Sequence, residues 1–260
     1  MKLGPGTAIA ITGASSGIGE ELAFQFAARG CAVALAARRG DLLERHADAI
    51  GKKGGRASAV PADVTKRADV ERLMERTFSE FGRLDISVNN AGISPGKGPL
   101  VDVSERDVRA TFETNLMGYV YGVWAAAPWM EKNGGGLMVF ISSVIGKRGI
   151  PFSAAYCASK FAVQGLTESI RPELKPKNIR VLNVCPPGVD TPFFEVNQRG
   201  RKRDFTLHPV SKIARSIVRA CEREKREILP TWDAKLLAWA SVLAPGAMDW
   251  AIARSKKVNQ

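Results

Sequence analysis

The residues with the clearest chemical potential lie between positions 139 and 160, VFISSVIGKRGIPFSAAYCASK. An apolar run at 137–141 ends in Ser142 and Ser143, a loop containing Gly and Pro follows, and the next segment carries Tyr156 and, four residues on, Lys160. On a helix this spacing puts phenol and ammonium on one face, roughly 6 Å apart at Cβ. A free tyrosine, with a pKa of about 10, exchanges protons poorly at neutral pH. A fixed cation nearby favours the phenolate and would lower that value by about 1 to 3 units, towards useful acid–base chemistry. A serine hydroxyl arriving from a strand end could hold a carbonyl oxygen beside the phenol. Y-x-x-x-K alone more often belongs to an ordinary surface helix, so support must come from the elements that position it.

Those elements begin at the N-terminus. Residues 7–12, TAIAIT, suit a strand buried on both faces. Gly13, Ala14, Ser15, Ser16, Gly17, Ile18 and Gly19 follow, then a helical pattern at 20–29 closed by Gly30, then a strand at 33–36. Strand, glycine turn, helix and strand make a dinucleotide-binding βαβ unit, in which the backbone turns tightly and the helix N-terminus favours a pyrophosphate. The spacing is G-x-x-x-G-x-G rather than G-x-G-x-x-G, and glycine turns also serve packing alone. Where an NAD enzyme carries an acidic residue at the end of the second strand, this chain has Arg38 and Arg39 after Ala37. A guanidinium there suits a 2′-phosphate through charge-assisted hydrogen bonds, the alternative being a solvated arginine pair. The reading is NADP(H) over NAD(H).

The alternation continues with a helix at 41–51, a strand at 57–61 before Asp63 and Val64, a helix at 69–81, and a strand at 84–88 stopping at Asn89, Asn90, Ala91 and Gly92. A long helical region at 104–130 contains Asn115, the helix begun near Tyr156 runs to 171, and a strand at 179–184 leads to Pro187, Gly188, Val189, Asp190 and Thr191. Such alternation implies an α/β fold with a doubly wound parallel sheet between helices, three layers in all. Ligands then sit outside the carboxyl ends of the strands, where Gly13, Arg38, Asp63, Asn89 and Ser143 all fall.

With a net charge of +12, the chain places 14 Lys/Arg against 6 Asp/Glu between residues 199 and 260, so +8 lies in the last quarter. No nucleic-acid motif accompanies that excess, which reads as a solvated face able to attract an anionic ligand. Cys31, Cys157, Cys185 and Cys221 lack metal or disulfide spacing, and His46 and His208 stand far apart. Reduced thiols, no resident metal and a cytoplasmic location are therefore expected. The N-terminus runs straight into a predicted strand, so a signal peptide is not expected. No apolar run reaches the ~18 to 20 residues of a membrane span.

Lined up, these segments resemble the short-chain dehydrogenase/reductase family over about residues 6–230. TGASSGIG at 12–19, NNAG at 89–92, S-x12-Y-x3-K at 143–160 and PGVDT at 187–191 occur in order and at family spacing. The resemblance implies a Rossmann-like domain with Tyr156 as general acid/base and Ser143 orienting the substrate oxygen. Lys160 would bind the nicotinamide ribose and lower the Tyr156 pKa, and Asn115 would complete a proton relay. Cofactor contacts are expected at Gly13, Ser15, Ser16, Gly17, Ile18, Gly19, Arg38, Arg39, Asp63, Val64, Asn89, Ala91, Gly92, Pro187, Gly188, Val189 and Thr191, besides Tyr156 and Lys160. Subunits would pair through the helices around 105–130 and 155–171, giving a homodimer or homotetramer.

The implied activity is hydride transfer between nicotinamide and a carbonyl or secondary alcohol. Alternatives are reduction of a carrier-bound 3-ketoacyl thioester, and a non-catalytic NADP(H)-binding scaffold or sensor. The single domain would span 1–230, with a substrate lid at about 190–208, and 231–260 would be a basic, Trp-containing extension packed on it. That extension could lie on its own core or a subunit neighbour, cap a pocket for a bulky apolar substrate, or touch an anionic membrane surface. Apolar residues near the lid favour a hydrophobic small molecule: a lipid, a steroid or an aromatic ketone or aldehyde.

Overall fold

The computed structural model describes residues 1–193 and 207–254. Short runs, most apolar in β1, β2 and β5, make the strands: β1 (Ala8–Thr12), β2 (Ala32–Ala37), β3 (Arg56–Pro61), β4 (Ile86–Asn89), β5 (Gly136–Ile141), β6 (Ile179–Val184) and β7 (Glu227–Ile228). They form one sheet in the order β3-β2-β1-β4-β5-β6-β7, and every pairing is parallel. The helices between them are α1 (Gly17–Ala27), α2 (Gly40–Gly51), α3 (Arg67–Phe81), α4 (Glu105–Phe112), α5 (Gly118–Lys132), α6 (Ala154–Leu174) and α7 (Val210–Glu222). Two further helices, α8 (Trp232–Leu243) and α9 (Pro245–Arg254), follow the last strand.

Because side chains alternate across a strand, each strand feeds both faces of the sheet. Ile9 and Ile11 of β1 point into one apolar cluster with Leu22 and Phe26 of α1 and Ile213 and Ile217 of α7. Ala10 points into the other, with Leu73 and Met74 of α3, Tyr119 and Met130 of α5 and Val163 of α6. This is the expected three-layer doubly wound sheet. The chain goes outward from β1 through β2 to β3, then crosses back to β4 beside β1. The β1/β4 seam is thus the switch point where such sheets open a crevice at their carboxyl ends.

The region at 104–130 is helical throughout from Glu105, but its pitch changes inside it. Ser104 caps α4 by accepting from the Asp107 amide at 3.1 Å, and α4 passes through a π-helical turn, Glu113–Met117, into α5. The wide turn re-phases the side chains that follow it, which is how Asn115 comes to face the interior.

Candidate active site

The switch point is stitched by β1 and the segment after β4. Thr12 Oγ1 donates to the Val88 carbonyl (3.2 Å) and accepts from the amides of Asn90 (3.0 Å) and Ala91 (3.2 Å). The Asn90 amide nitrogen returns to the carbonyls of Thr12 (2.9 Å) and Gly13 (3.2 Å). Gly13, with φ 66°, lies so close that a Cβ there would come within 2.8 Å of Asn90 Nδ2, and one on Gly19 within 2.4 Å of the Gly13 carbonyl. Only glycine fits at either position. Ser16, the residue before α1, makes no capping hydrogen bond with its side chain, so the first amides of α1 face the crevice free of a side-chain cap. A glycine cradle ending in such a helix N-terminus suits a pyrophosphate. Ile18 packs on the core below the turn.

Between the two arginines after β2 the structure discriminates. Arg39 swings back over the glycine turn, donating from Nη2 to Ser15 Oγ (2.8 Å) and Ser16 Oγ (2.9 Å). Arg38 stands beside it, equally exposed, without those bonds to the turn. The guanidinium held at the turn therefore belongs to Arg39.

Other expected cofactor residues divide by what they touch. Asp63 Oδ1 accepts from the amide (3.0 Å) and hydroxyl (2.8 Å) of Thr65, shaping the loop after β3, while Val64 packs on Gly118 of α5. Asn89 turns away from the crevice. Its Nδ2 lies 3.5 Å from the Val139 carbonyl, and a Cβ on Gly122 would come within 1.9 Å of its Oδ1. Asn89 is thus a buried residue clamped between β5 and α5, while Asn90 holds the end of β1 and the glycine turn. Past β6, Pro187 and Gly188 lead to buried Val189, and the Thr191 methyl lies over Gly17, 3.1 Å from where a Cβ would stand. The segment expected to form a lid begins and ends at one point. The Asp190 amide donates to the His208 carbonyl and the His208 amide to the Gly188 carbonyl, both at 2.9 Å. Residues 194–206 of that segment lie outside those described.

The four expected catalytic residues converge at the ends of β4 and β5. Asn115 sits in the π turn, fully buried, its side chain paired with the backbone of Ile93: Oδ1 accepts from the amide (2.8 Å) and Nδ2 donates to the carbonyl (2.9 Å). Nδ2 also reaches Ser159 Oγ at 3.0 Å, and that hydroxyl donates to the Tyr156 carbonyl (2.8 Å). Asn115 thereby ties the segment after β4 to the helix carrying Tyr156 and Lys160. Gly92 completes the corner, a Cβ there standing 3.3 Å from Asn115 Oδ1 and 3.7 Å from Lys160 Nζ. Ser143, at the end of β5, accepts from the Ile145 amide (3.3 Å), and its hydroxyl lies on the Tyr156 side of the site, where it favours the phenolate.

Lys160 is buried beside Tyr119, a residue that belongs to no motif in the sequence. Its Nζ donates to the Ile141 carbonyl (2.8 Å) and lies 3.5 Å from the Tyr119 hydroxyl, which donates to the same carbonyl at 2.9 Å. It stands 5.6 Å from the centroid of the Tyr156 ring. The expected electrostatics are reversed by burial. Loss of solvent pulls the Lys160 ammonium down to about 7, against a smaller opposing effect of Cys185. Loss of solvent also raises the Tyr156 phenol above its ordinary value, the Cys157 thiol adding to this and the Ser143 hydroxyl acting the other way. A lysine that loses charge so readily does not hold the phenol down. Among the described residues no group of three or more His, Cys, Asp or Glu side chains could hold a metal ion, and all four cysteines are buried free thiols.

Residues 7–202 match the family model for short chain dehydrogenases. The chain is 36% identical over 249 residues to an uncharacterized oxidoreductase, YxnA, of Bacillus subtilis (93% of this chain, 70% of the relative). It is also 36% identical over 247 residues to an 11-beta-hydroxysteroid dehydrogenase-like protein, 4A, of Arabidopsis thaliana (92% and 81%). Among solved structures, a 3-ketoacyl-(acyl-carrier-protein) reductase from Brucella melitensis complexed with NADH superposes with a TM-score of 0.79 at 31% identity (87% and 95%). The protein belongs to the short-chain dehydrogenase/reductase family: it is an oxidoreductase acting between alcohol and carbonyl, with a nicotinamide cofactor.

Proposed function

We propose that the protein is an NADP(H)-dependent oxidoreductase for a hydrophobic ketone, aldehyde or secondary alcohol. The observation that carries this reading is the convergence of Ser143, Tyr156, Lys160 and Asn115 beside a glycine cradle whose open helix N-terminus suits a pyrophosphate. Gly13, Gly17, Gly19 and the first amides of α1 would hold the cofactor's phosphates, and Lys160 the nicotinamide ribose. When bound, the nicotinamide supplies or accepts the hydride at the carbonyl carbon. The protein's own task is at the oxygen. In reduction Ser143 donates a hydrogen bond as charge develops there, and Tyr156 Oη delivers the proton. The Asn115–Ser159 contact keeps α6 in register with the segment after β4, so the phenol meets the substrate at one distance.

Preference for NADP(H) rests on Arg39. Held by Ser15 and Ser16 at the glycine turn, its guanidinium and the two hydroxyls make a polar, cationic corner suited to a 2′-phosphate. The apolar character of the substrate rests on the wall around the phenol. The Phe193 ring lies 5.6 Å from that of Tyr156, tilted by 44°, at the start of the lid. A steroid-dehydrogenase-like relative is consistent with such a wall. Subunit pairing is supported by Trp124 on α5 and Phe161 on α6, both exposed large apolar groups on the helices that the family resemblance nominates.

The test is loss of reduced-nicotinamide absorbance with NADPH and NADH, against a panel of aldehydes, ketones, steroids and ketoacyl thioesters. Turnover of apolar free carbonyls favoured by NADPH is the expected result. Turnover restricted to carrier-bound thioesters would replace the substrate assignment. Tight NADPH binding with no turnover across the panel would leave the scaffold reading.

A further inference from the structure

Helix α8 is built inside out for a helix packed on a domain. The side it turns to the protein is lined by Ala234 and Ala238, 1% and 9% exposed. The large apolar residues point outward: Trp232 is 75% exposed, Leu236 67%, Trp239 56% and Leu243 83%. Positions 232, 236, 239 and 243 follow the i, i+4, i+7, i+11 rule, so they form one stripe along the helix. Helix α9 buries none of its residues and adds Trp250, 60% exposed. An apolar stripe of this size facing water marks a surface meant to be covered.

Charge and shape say by what. The two acidic residues of the pair are both engaged by the body of the protein: Asp233 with His208 at the end of the lid (3.0 Å), and Asp249 with Arg148 in the loop after Ser143. The two cations instead lie on the outward tryptophans, Lys235 Nζ 4.7 Å from the ring centroid of Trp232 and the Arg254 guanidinium 4.2 Å from that of Trp250. Lys256 and Lys257 follow directly in the sequence. Tryptophan flanked by cations is the side-chain chemistry of the bilayer interface, where an amphipathic ring sits at headgroup level and the ammonium meets anionic lipid. A second copy of the chain is a poorer fit, since protein interfaces deplete lysine at their centre, and Trp124 and Phe161 already offer such a contact on α5 and α6. With 12 and 10 residues, neither helix spans the ~20 residues of a bilayer. Together they have the length and apolar composition, but a bend of 118° at the break keeps them from forming one straight span.

We propose that α8 and α9 form an in-plane docking element for an anionic lipid bilayer, with the stripe of Trp232, Leu236, Trp239 and Leu243 seated at the headgroup boundary. Helix α8 packs on the turn at 144–146 next to Ser143, and α9 is tied to the same loop by Arg148 and Asp249. Docking therefore holds the mouth of the candidate site at the lipid surface. That consequence for an apolar substrate rests on the reading of the site given above; the docking itself does not.

The test is flotation of the full chain with vesicles of phosphatidylcholine alone and of phosphatidylcholine with phosphatidylserine. The expected result is binding at least about tenfold stronger to the anionic vesicles, weakened by added salt. Trp232→Ser with Trp239→Ser, and separately Leu243→Glu, should each lower that binding about tenfold or more. These positions face solvent, so the fold is kept; unchanged thermal unfolding and NADPH binding check this independently of any turnover. Wild-type protein left behind by both vesicle types would overturn the proposal, as would variants that bind like wild type. A smaller oligomer in the variants, with wild type indifferent to lipid, would overturn it in favour of a second copy covering the stripe.

Discussion

Lys160 Nζ stands 5.6 Å from the ring centroid of Tyr156 but hydrogen-bonds to the Ile141 carbonyl at 2.8 Å, next to the Tyr119 hydroxyl. The ammonium is thus anchored to the end of β5 rather than aimed at the phenol, and loss of solvent around the buried lysine and the half-buried tyrosine shifts their proton affinities in opposite directions.

The proton-delivering role of Tyr156 is checked with Tyr156→Phe. Turnover should fall by about 10²- to 10⁴-fold while NADPH affinity is largely kept, because the ring survives and only the proton is lost. Ser143→Ala should cost about 10²-fold or more through the developing charge on oxygen. Near-normal turnover of Tyr156→Phe with any substrate that wild type reduces would remove the phenol from the mechanism.

Lys160 makes stability depend on pH. Its folded value of about 7 lies below the ordinary lysine value, so between roughly pH 7 and 10 the unfolded chain binds more protons than the folded one. Stability from this group therefore rises with pH through that window, by at most about 1.4 kcal/mol per pH unit. Below pH 7 the full cost of burying the cation is present. Tyr156 works in the opposite sense only above about pH 10, where the unfolded phenol ionises first. Lys160→Met should flatten the wild-type rise in denaturation midpoint between pH 7 and 9. Parallel profiles for the two proteins would place the lysine proton in solvent.

Arg39 separates the two nicotinamide cofactors. Arg39→Ala should raise KM for NADPH about tenfold or more and leave NADH nearly unchanged, since a lost charge-assisted contact costs about 1.5 to 3 kcal/mol. Arg38→Asp should shift preference towards NADH by placing a carboxylate beside the same corner. Unaltered NADPH/NADH ratios in both variants would refute the assignment of the 2′-phosphate to this end of β2.

Gly122→Ala tests how tightly α5 sits on the sheet. The new methyl would fall 1.9 Å from Asn89 Oδ1, so helix or asparagine must move, at about 1 to 3 kcal/mol. Urea unfolding gives the number directly. A neutral substitution would mean that Asn89 rotates away without loss.

Much of this protein was legible in its sequence because the signals are local. The apolar strand runs, the glycine turn at 13–19, Arg38 and Arg39 after β2, and the spacing from Ser143 to Lys160 each report backbone conformation or periodicity within a few residues. They sufficed for the parallel doubly wound sheet and for the edge on which the site is built. Other features depend on contacts between distant segments, and nothing local encodes them. Asn89 and Asn90 are identical letters side by side, and pleating sends one under α5 and the other across β1. Gly122 reads as a weak spot in an apolar helix until the Asn89 carbonyl is found against it. Tyr119 reads as core, and its hydroxyl shares an acceptor with Lys160. The proton affinities of Tyr156 and Lys160 likewise depend on how much water the assembled helices exclude, a quantity spacing cannot carry. The outward set of the α8 tryptophans is of the same kind: the sequence determined that the helix has an apolar stripe, and only packing through Ala234 and Ala238 decided that the stripe faces away from the protein.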